Sequence, residues 1–326
     1  GRRRGDAAGQ KKFEVQLTHN PIVVRPEETP CKVTQKFIFL HIRSEEGPQG
    51  KDSAPAAGPK QTHNPSTMSK TALITGASSG IGAATARTLA AAGYDLVITG
   101  RRTDRLQALN DTLENRYGIR VHVLGFDIRD RFQTESAIDA LPARFRRIDL
   151  LVNNAGLAAG LEHIDEGDPL DWDRMIDTNV KGLLYITRIV SQRMIADGRG
   201  GHIINIGSIA GVQAYENGAV YCASKHAVHA LSQGMRMDLL GHGIKVTEIR
   251  PGMVETEFSV VRFHGDRRRA DDVYRGIEPL TGDDIASVVG WIVSLPPHVN
   301  INDIEVMPSA QANAYLTCRK EDESEQ

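Results

Sequence analysis

Residues 71–89 read TALITGASSGIGAATARTL. A short apolar run, Thr71 to Ile74, leads into a turn with glycines at 76, 80 and 82, and then into an alanine-rich stretch. The pattern predicts a strand, a tight loop and the first turns of a helix. Glycines let the backbone approach a ligand closely, and a helix start offers free N–H groups and the positive end of the helix dipole. Gly76, Ser78, Ser79, Gly80, Ile81 and Gly82 are therefore expected to cradle the diphosphate of a dinucleotide. The G-x-x-x-G-x-G spacing differs from the G-x-G-x-x-G of other dinucleotide folds, and three glycines alone would also suit a purely structural turn.

The surroundings of that loop set the fold. From residue 70 to about 310, short apolar runs alternate with amphipathic segments. The strand candidates are TALITG, DLVITG, VHVLGFD, DLLVNNAG, HIINIGS, KVTEIRP and INDIEVMP. Helices are expected over about 80–92, 103–117, 130–140, 170–196, 218–241 and 282–294. Such alternation makes βαβ units, and the strands are apolar nearly throughout, as burial on both faces requires. The expected architecture is a Rossmann-type, doubly wound α/β fold: seven parallel strands in one domain over residues 68–312.

The flanks read differently. Residues 1–67 contain a basic start, GRRRGDAAGQKK, and a Pro-, Gly- and Ser-rich stretch before Met68, with CKVTQKFIFLHIR as an isolated strand candidate between them. That composition predicts an extension, vector-derived or not, that is disordered or outside the working fold. Residues 313–326 are expected to be a flexible, solvated tail.

A formal net charge of -2 over 326 residues gives no reason to expect nucleic acid or an anionic membrane as a partner. No apolar run approaches the roughly 18 residues of a membrane span. Three cysteines, Cys31, Cys222 and Cys318, make no disulfide framework and suit a reducing cytoplasm.

The second strand ends in Gly100, Arg101 and Arg102, where enzymes that use NAD place a carboxylate for the ribose hydroxyl. Two guanidiniums suit a 2′-phosphate instead, so NADP is the expected cofactor; a pair of solvated arginines is the alternative. Asp104 is expected to cap the following helix. Asp127 is placed to meet the adenine amine, with Ile128 beside the ring. Asn153, Ala155 and Gly156 would let the backbone run along the cofactor.

In VYCASKHAV, residues 220–228, Tyr221 and Lys225 stand one helical turn apart on one face. With TGASSGIG, NNAG, a serine 13 residues before Y-x-x-x-K, and a following PG, the chain resembles the short-chain dehydrogenase/reductase family across nearly all of residues 70–310. The resemblance implies that Tyr221 moves the carbinol proton, that Lys225 lowers the tyrosine pKa and holds the nicotinamide ribose, and that Ser208 binds the substrate oxygen. It also implies that Asn179 supports a water relay, and that Pro251, Gly252, Val254 and Thr256 complete the cofactor site, Thr256 at the carboxamide. Cys222 is expected to be a packing residue. His226 and His229 have a possible metal spacing but no third ligand, so no metal is expected.

Longer strings, among them WDRMIDTNVKGLLYITR and LPPHVNINDIEVMP, are similar to the NADP-dependent 3-hydroxy acid dehydrogenases. They imply oxidation of the β-hydroxyl of a short acid or amino acid such as L-serine, or the reverse reduction. Arg262 is a candidate carboxylate anchor, in a loop, roughly 253–276, expected to be a mobile lid. A 3-oxoacyl-carrier-protein or general carbonyl reductase is the alternative within the family; a non-catalytic NADP-sensing regulator is the alternative outside catalysis. The apolar helices 170–196 and 218–241 are expected to pair copies, with INDIEVMP completing a homotetramer.

Overall fold

The computed structural model describes residues 69–320. The expectations for the extension, Cys31 and residues 321–326 lie outside the described residues. In chain order the elements are β1 (Thr71–Ile74), α1 (Gly80–Ala91), β2 (Asp95–Gly100), α2 (Thr103–Tyr117), β3 (Val121–Gly125), α3 (Arg131–Asp139) and β4 (Leu150–Asn153). There follow α4 (Pro169–Ile176), α5 (Leu183–Asp197), β5 (Gly201–Ile206), α6 (Ala219–Asp238) and β6 (Ile244–Pro251). The last third holds β7 (Val254–Glu255), α7 (Glu257–Arg262), α8 (Arg267–Asp272), β8 (Leu280–Thr281), α9 (Gly282–Ser294) and β9 (Asp303–Val306).

Seven strands form one parallel sheet in the order β3-β2-β1-β4-β5-β6-β9. Alternate residues of each strand face opposite cores. Leu73 and Leu151 pack with Ile186 and Val228 under α3, α5 and α6, while Ile74 and Leu150 pack with Leu89, Leu106 and Ile285 under α1, α2 and α9. That two-sided burial is why the central strands read mostly apolar, whereas the edge strands β3 and β9 are only partly buried. Each such aliphatic side chain contributes about 1.5–3 kcal/mol. The order reverses between β1 and β4, so the loops leaving their C-terminal ends diverge and open a crevice there.

One segment differs from expectation, and two others hold more regular structure than the sequence suggested. The helix foreseen over 170–196 is interrupted: Asp177–Gly182 forms a π-helical turn between α4 and α5. Residues 253–276, the expected mobile lid, carry regular structure that was not foreseen: α7, α8 and a small parallel pair, β7 with β8. Thr256 and Asp266 cap those two helices through their side chains. Six-residue helices are too short to show periodicity in sequence. The tail is tied down as far as residue 320: Gln311 bridges Thr317, and Lys320 N–H donates to Gly276 O at 2.7 Å.

Acid should act on this fold through His202 in β5. It is buried, 2.8 Å from Thr247 Oγ1, and desolvation, helped by Lys245, lowers its pKa to about 3. Between about pH 6.5 and 3 the unfolded chain binds a proton here that the folded chain refuses, so stability falls as pH drops through that window. Urea unfolding at pH 7 and pH 4 should show His202→Gln losing about 3 kcal/mol less than the parent. Equal acid slopes would contradict this role.

Candidate active site

The crevice is lined first by the loop after β1. Gly76 has φ 68°, a left-handed conformation that favours glycine. At Gly82 a Cβ would run into the Gly76 carbonyl and the Asn154 amide. The cap residue of α1, Ser79, makes no capping bond, and no acidic residue stands in the first turn. The helix end therefore keeps its N–H groups and dipole for an anion, and the cradle fits a dinucleotide diphosphate.

Residues 153–156 lock onto that loop, but not through Asn153. Its amide is buried against Thr187 and Asn205, at 2.8 and 2.9 Å, so it offers a cofactor only backbone. Asn154 does the tying, donating to Thr75 O and Gly76 O at 2.9 and 3.2 Å. The Thr75 hydroxyl accepts from Asn154 and Ala155 N–H, both at 3.0 Å. Neighbours on a strand end point to opposite sides, and the identical pair gave no sign of which residue faces which way.

At the tip of β2, Arg101 is exposed, whereas Arg102 is engaged. Arg102 donates to Ser78 Oγ through Nε at 3.2 Å, to Ser79 Oγ at 2.7 Å and to Glu257 Oε2 at 2.7 Å. Arg105 holds the other Glu257 oxygen at 2.6 Å. Those two guanidiniums lower the Glu257 pKa to about 2, Arg105 acting most strongly. Neither Glu257 nor Arg105 was evident from sequence. Asp104 sits in the first turn of α2, and the cap position is Arg102 itself. Asp127 is gripped by Arg129 through a two-pronged pair, and Ile128 is buried against Gly182. Adenine contacts there need Asp127 to share its carboxylate, while Ile128 is committed to core packing.

The structure brings Tyr221, Lys225, Ser208 and Asn179 together, all of them buried. Asn179 lies in the π turn, a form common at functional sites. Its amide clamps residue 157 from both sides, accepting from Leu157 N–H at 2.9 Å and donating to Leu157 O at 2.8 Å. A Cβ on Gly156 would stand 3.3 Å from Asn179 Oδ1 and 3.6 Å from Lys225 Nζ, so the bare glycine keeps this corner open. Ser208 caps the turn after β5, accepting from Ala210 N–H at 3.1 Å.

Lys225 Nζ donates to Ile206 O at 2.9 Å. Burial lowers its pKa to about 8, against the opposing pull of buried Glu248. The lowering expected for the Tyr221 phenol draws on the charge of a bound nicotinamide as well as on Lys225, and in the chain alone burial works the other way. Burial pushes that phenol well above its ordinary value, Tyr215 adds to the rise, and Ser208 and Arg262 oppose it.

Arg262, the last residue of α7, places its guanidinium carbon 5.6 Å from the Tyr221 ring centre. It donates to Tyr215 Oη at 2.9 Å and to Gly160 O at 3.2 Å. With Trp172, Asn217 and Tyr221 it lines a small pocket under α7. Phe258, also in α7, meets the Tyr221 ring edge-on at 5.7 Å. Tyr215, Trp172 and Phe258 carry no motif and come into view only in the fold. Thr256 rests against Gly80, while Gly252 packs on Gln311 and Met307. Pro251 is buried at the end of β6, and the Val254 carbonyl accepts from Tyr274 at 2.9 Å.

His226 and His229 do not share a ligand. His226 Nδ1 faces Cys222 O at 2.8 Å, and His229 Nδ1 faces Glu248 at 2.6 Å. His229, Glu248 and Asp303 could crowd an ion, but the Arg250 guanidinium already lies 3.4 and 3.3 Å from the two carboxylates. Cys222 is buried and free, as a packing residue should be.

A crossing-over parallel sheet, a glycine cradle at its switch point and a tyrosine–lysine pair on α6 define a class of dinucleotide-linked oxidoreductase. The family model described as short chain dehydrogenase matches residues 70–266, and the chain belongs to that family. The sulfoacetaldehyde reductase 2 of Chromohalobacter salexigens is 46% identical over 245 residues, 75% of this chain and 96% of that protein. The NADP-dependent 3-hydroxy acid dehydrogenase of Salmonella typhi is 47% identical over 249 residues, 76% of this chain and 98% of that protein. Among solved structures, the closed form of serine dehydrogenase complexed with NADP+ is similar at a TM-score of 0.71 and 43% identity, over 77% of this chain and 100% of that one. Among the described residues no helix is long and apolar enough to cross a membrane.

Proposed function

We propose that the protein is an NADP-dependent oxidoreductase that interconverts a short hydroxy compound and its oxo form, the substrate carrying an anionic group one carbon away from the reacting carbon. The observation that carries this reading is Arg262, which faces the same small pocket as Tyr221 with its guanidinium beside the phenol ring. The names of the relatives support it. Short 3-hydroxy acids, serine and the sulfonate of sulfoacetaldehyde share that placement of charge, and a guanidinium can pair with either acid.

NADP, when bound, supplies the hydride acceptor. The chain's own residues do the rest. The glycine cradle holds the diphosphate, and the arginines at the tip of β2 favour a 2′-phosphate. Tyr221 takes the carbinol proton on oxidation and returns it on reduction. Ser208 holds the carbinol oxygen beside the phenol and stabilises charge developing there. Lys225 remains mostly cationic at neutral pH and favours the phenolate. Asn179 positions the turn at residue 157, and the bare Gly156 leaves space beside Lys225 for a water. Exposed Leu184 and Ile195 on α5 and Met237 on α6 support pairing of copies, and a cytoplasmic homotetramer is part of this reading.

Steady-state assays with NADP and NAD test it, over L-serine, L-allo-threonine, 3-hydroxypropionate, 3-hydroxyisobutyrate, 2-hydroxyethanesulfonate and a 3-oxoacyl thioester. Turnover with NADP on the anionic short substrates is expected. Preference for the thioester would favour a carrier-protein reductase, and NADP binding without turnover on any of them would favour a sensor.

A further inference from the structure

We propose that Glu257 is a carboxylate latch that competes with the cofactor's 2′-phosphate for Arg102 and Arg105, making it a determinant of cofactor specificity. The inference rests on the NADP reading given above.

The geometry is that of an anion site with an internal occupant. Three cationic residues stand at the tip of β2 and the start of α2. Arg101 is exposed, while Arg102 and Arg105 each hold one oxygen of the same carboxylate, at 2.7 and 2.6 Å. The remaining Arg102 nitrogens point at Ser78 and Ser79, in the glycine loop beside the expected diphosphate. A group bound there meets two guanidiniums and two hydroxyls, a donor set suited to a phosphate dianion. Glu257 comes from a distant part of the chain, as the first residue of α7. Its side chain and those of both arginines are less than half exposed, so solvent can enter and the exchange needs no unfolding.

Charge decides the competition. A phosphate carries close to two negative charges and three acceptor oxygens, against one charge and two oxygens on Glu257. It can displace the carboxylate. The 2′-hydroxyl of NAD brings no charge and leaves the latch in place, so the arginines give NAD no added grip. Glu257 thus weakens phosphate binding somewhat while keeping the arginines paired against weaker anions. The exchange occurs on the same six-residue helix that carries Arg262 to Tyr221.

The test uses fragments without nicotinamide, so that turnover plays no part. Adenosine 2′,5′-bisphosphate and adenosine 5′-monophosphate are titrated calorimetrically into the full chain and its Glu257→Gln variant. The variant should bind the bisphosphate about fivefold more tightly and the monophosphate unchanged, the scale expected from releasing a half-exposed ion pair. Arg105→Gln, also at a half-exposed position, should weaken the bisphosphate alone. Unchanged or weaker bisphosphate binding by Glu257→Gln would overturn the latch and make Glu257 an orienting partner of the arginines. A parent protein that does not prefer the bisphosphate would overturn the NADP reading and the latch with it. Urea unfolding of both variants establishes that they are folded.

Discussion

Tyr221→Phe should lose between about 10²- and 10⁴-fold in turnover, the range that a positioned general acid–base group contributes. Dinucleotide binding should stay near the parent's. The expectation follows from where the phenol sits. Its ring is buried, packs edge-on against Phe258 and lies under Arg262, and a phenylalanine keeps those ring contacts. Only the oxygen is removed, and with it the group placed to move the carbinol proton. Ser208 cannot substitute, because an aliphatic hydroxyl is far less acidic than a phenol and a neutral alcohol is a far weaker base than a phenolate. A variant keeping more than about a hundredth of parent turnover would show that the proton travels by another route.

Lys225→Met should lose turnover by at least about 10²-fold and, separately, change how stability depends on pH. The ammonium is buried, with Ile206 O as its hydrogen-bond acceptor, and desolvation brings its pKa from 10.5 to about 8. Between those values the unfolded chain holds a proton that the folded chain has released. Parent stability therefore gains as pH rises through that window, and the variant lacks the gain. In urea unfolding, the stability of Lys225→Met relative to the parent should fall by about 2 kcal/mol between pH 7 and pH 9.5. A difference that stays constant with pH would mean that the lysine is not held as a strained buried cation. Loss of turnover alone cannot show that, and the two readouts are independent.

The seven strands were legible because the five central ones are buried on both faces and read mostly apolar, while the edge strands β3 and β9 keep short aliphatic runs. The longer helices were legible as helix-length segments between the strands, although α4 and α5 read as one. The cofactor loop, the tyrosine–lysine pair and Ser208 were legible because their chemistry needs fixed local spacings. What escaped depends on pairing between distant parts of the chain. Glu257 meets Arg102 across 155 residues, and no spacing announces that contact. Arg102 looked like a free phosphate ligand because sequence shows neither its serine partners nor the carboxylate opposite. Asn153 and Asn154 are chemically identical neighbours, and only the twist of the strand end turns one into the core and the other onto the glycine loop. The π turn was hidden inside a continuous apolar pattern, since one inserted residue does not break the impression of a helix. A cation four residues away suggests a depressed phenol; in the chain alone burial raises it, and Lys225 directs its ammonium to the Ile206 carbonyl.

The central claim is that this chain moves a hydride between NADP and a short, anionic hydroxy or oxo compound, with Tyr221 carrying the proton. The most direct measurement follows the hydride itself. NADPH deuterated at the transferring position is mixed with a short 3-oxo acid or sulfoacetaldehyde and the protein, and the product alcohol is examined by mass spectrometry. The account predicts one deuterium on the carbinol carbon of the product with the parent protein, and at least about a hundredfold less labelled product in the same time with Tyr221→Phe. Product without deuterium at that carbon, or no product from any of these compounds while NADPH binds, would contradict it.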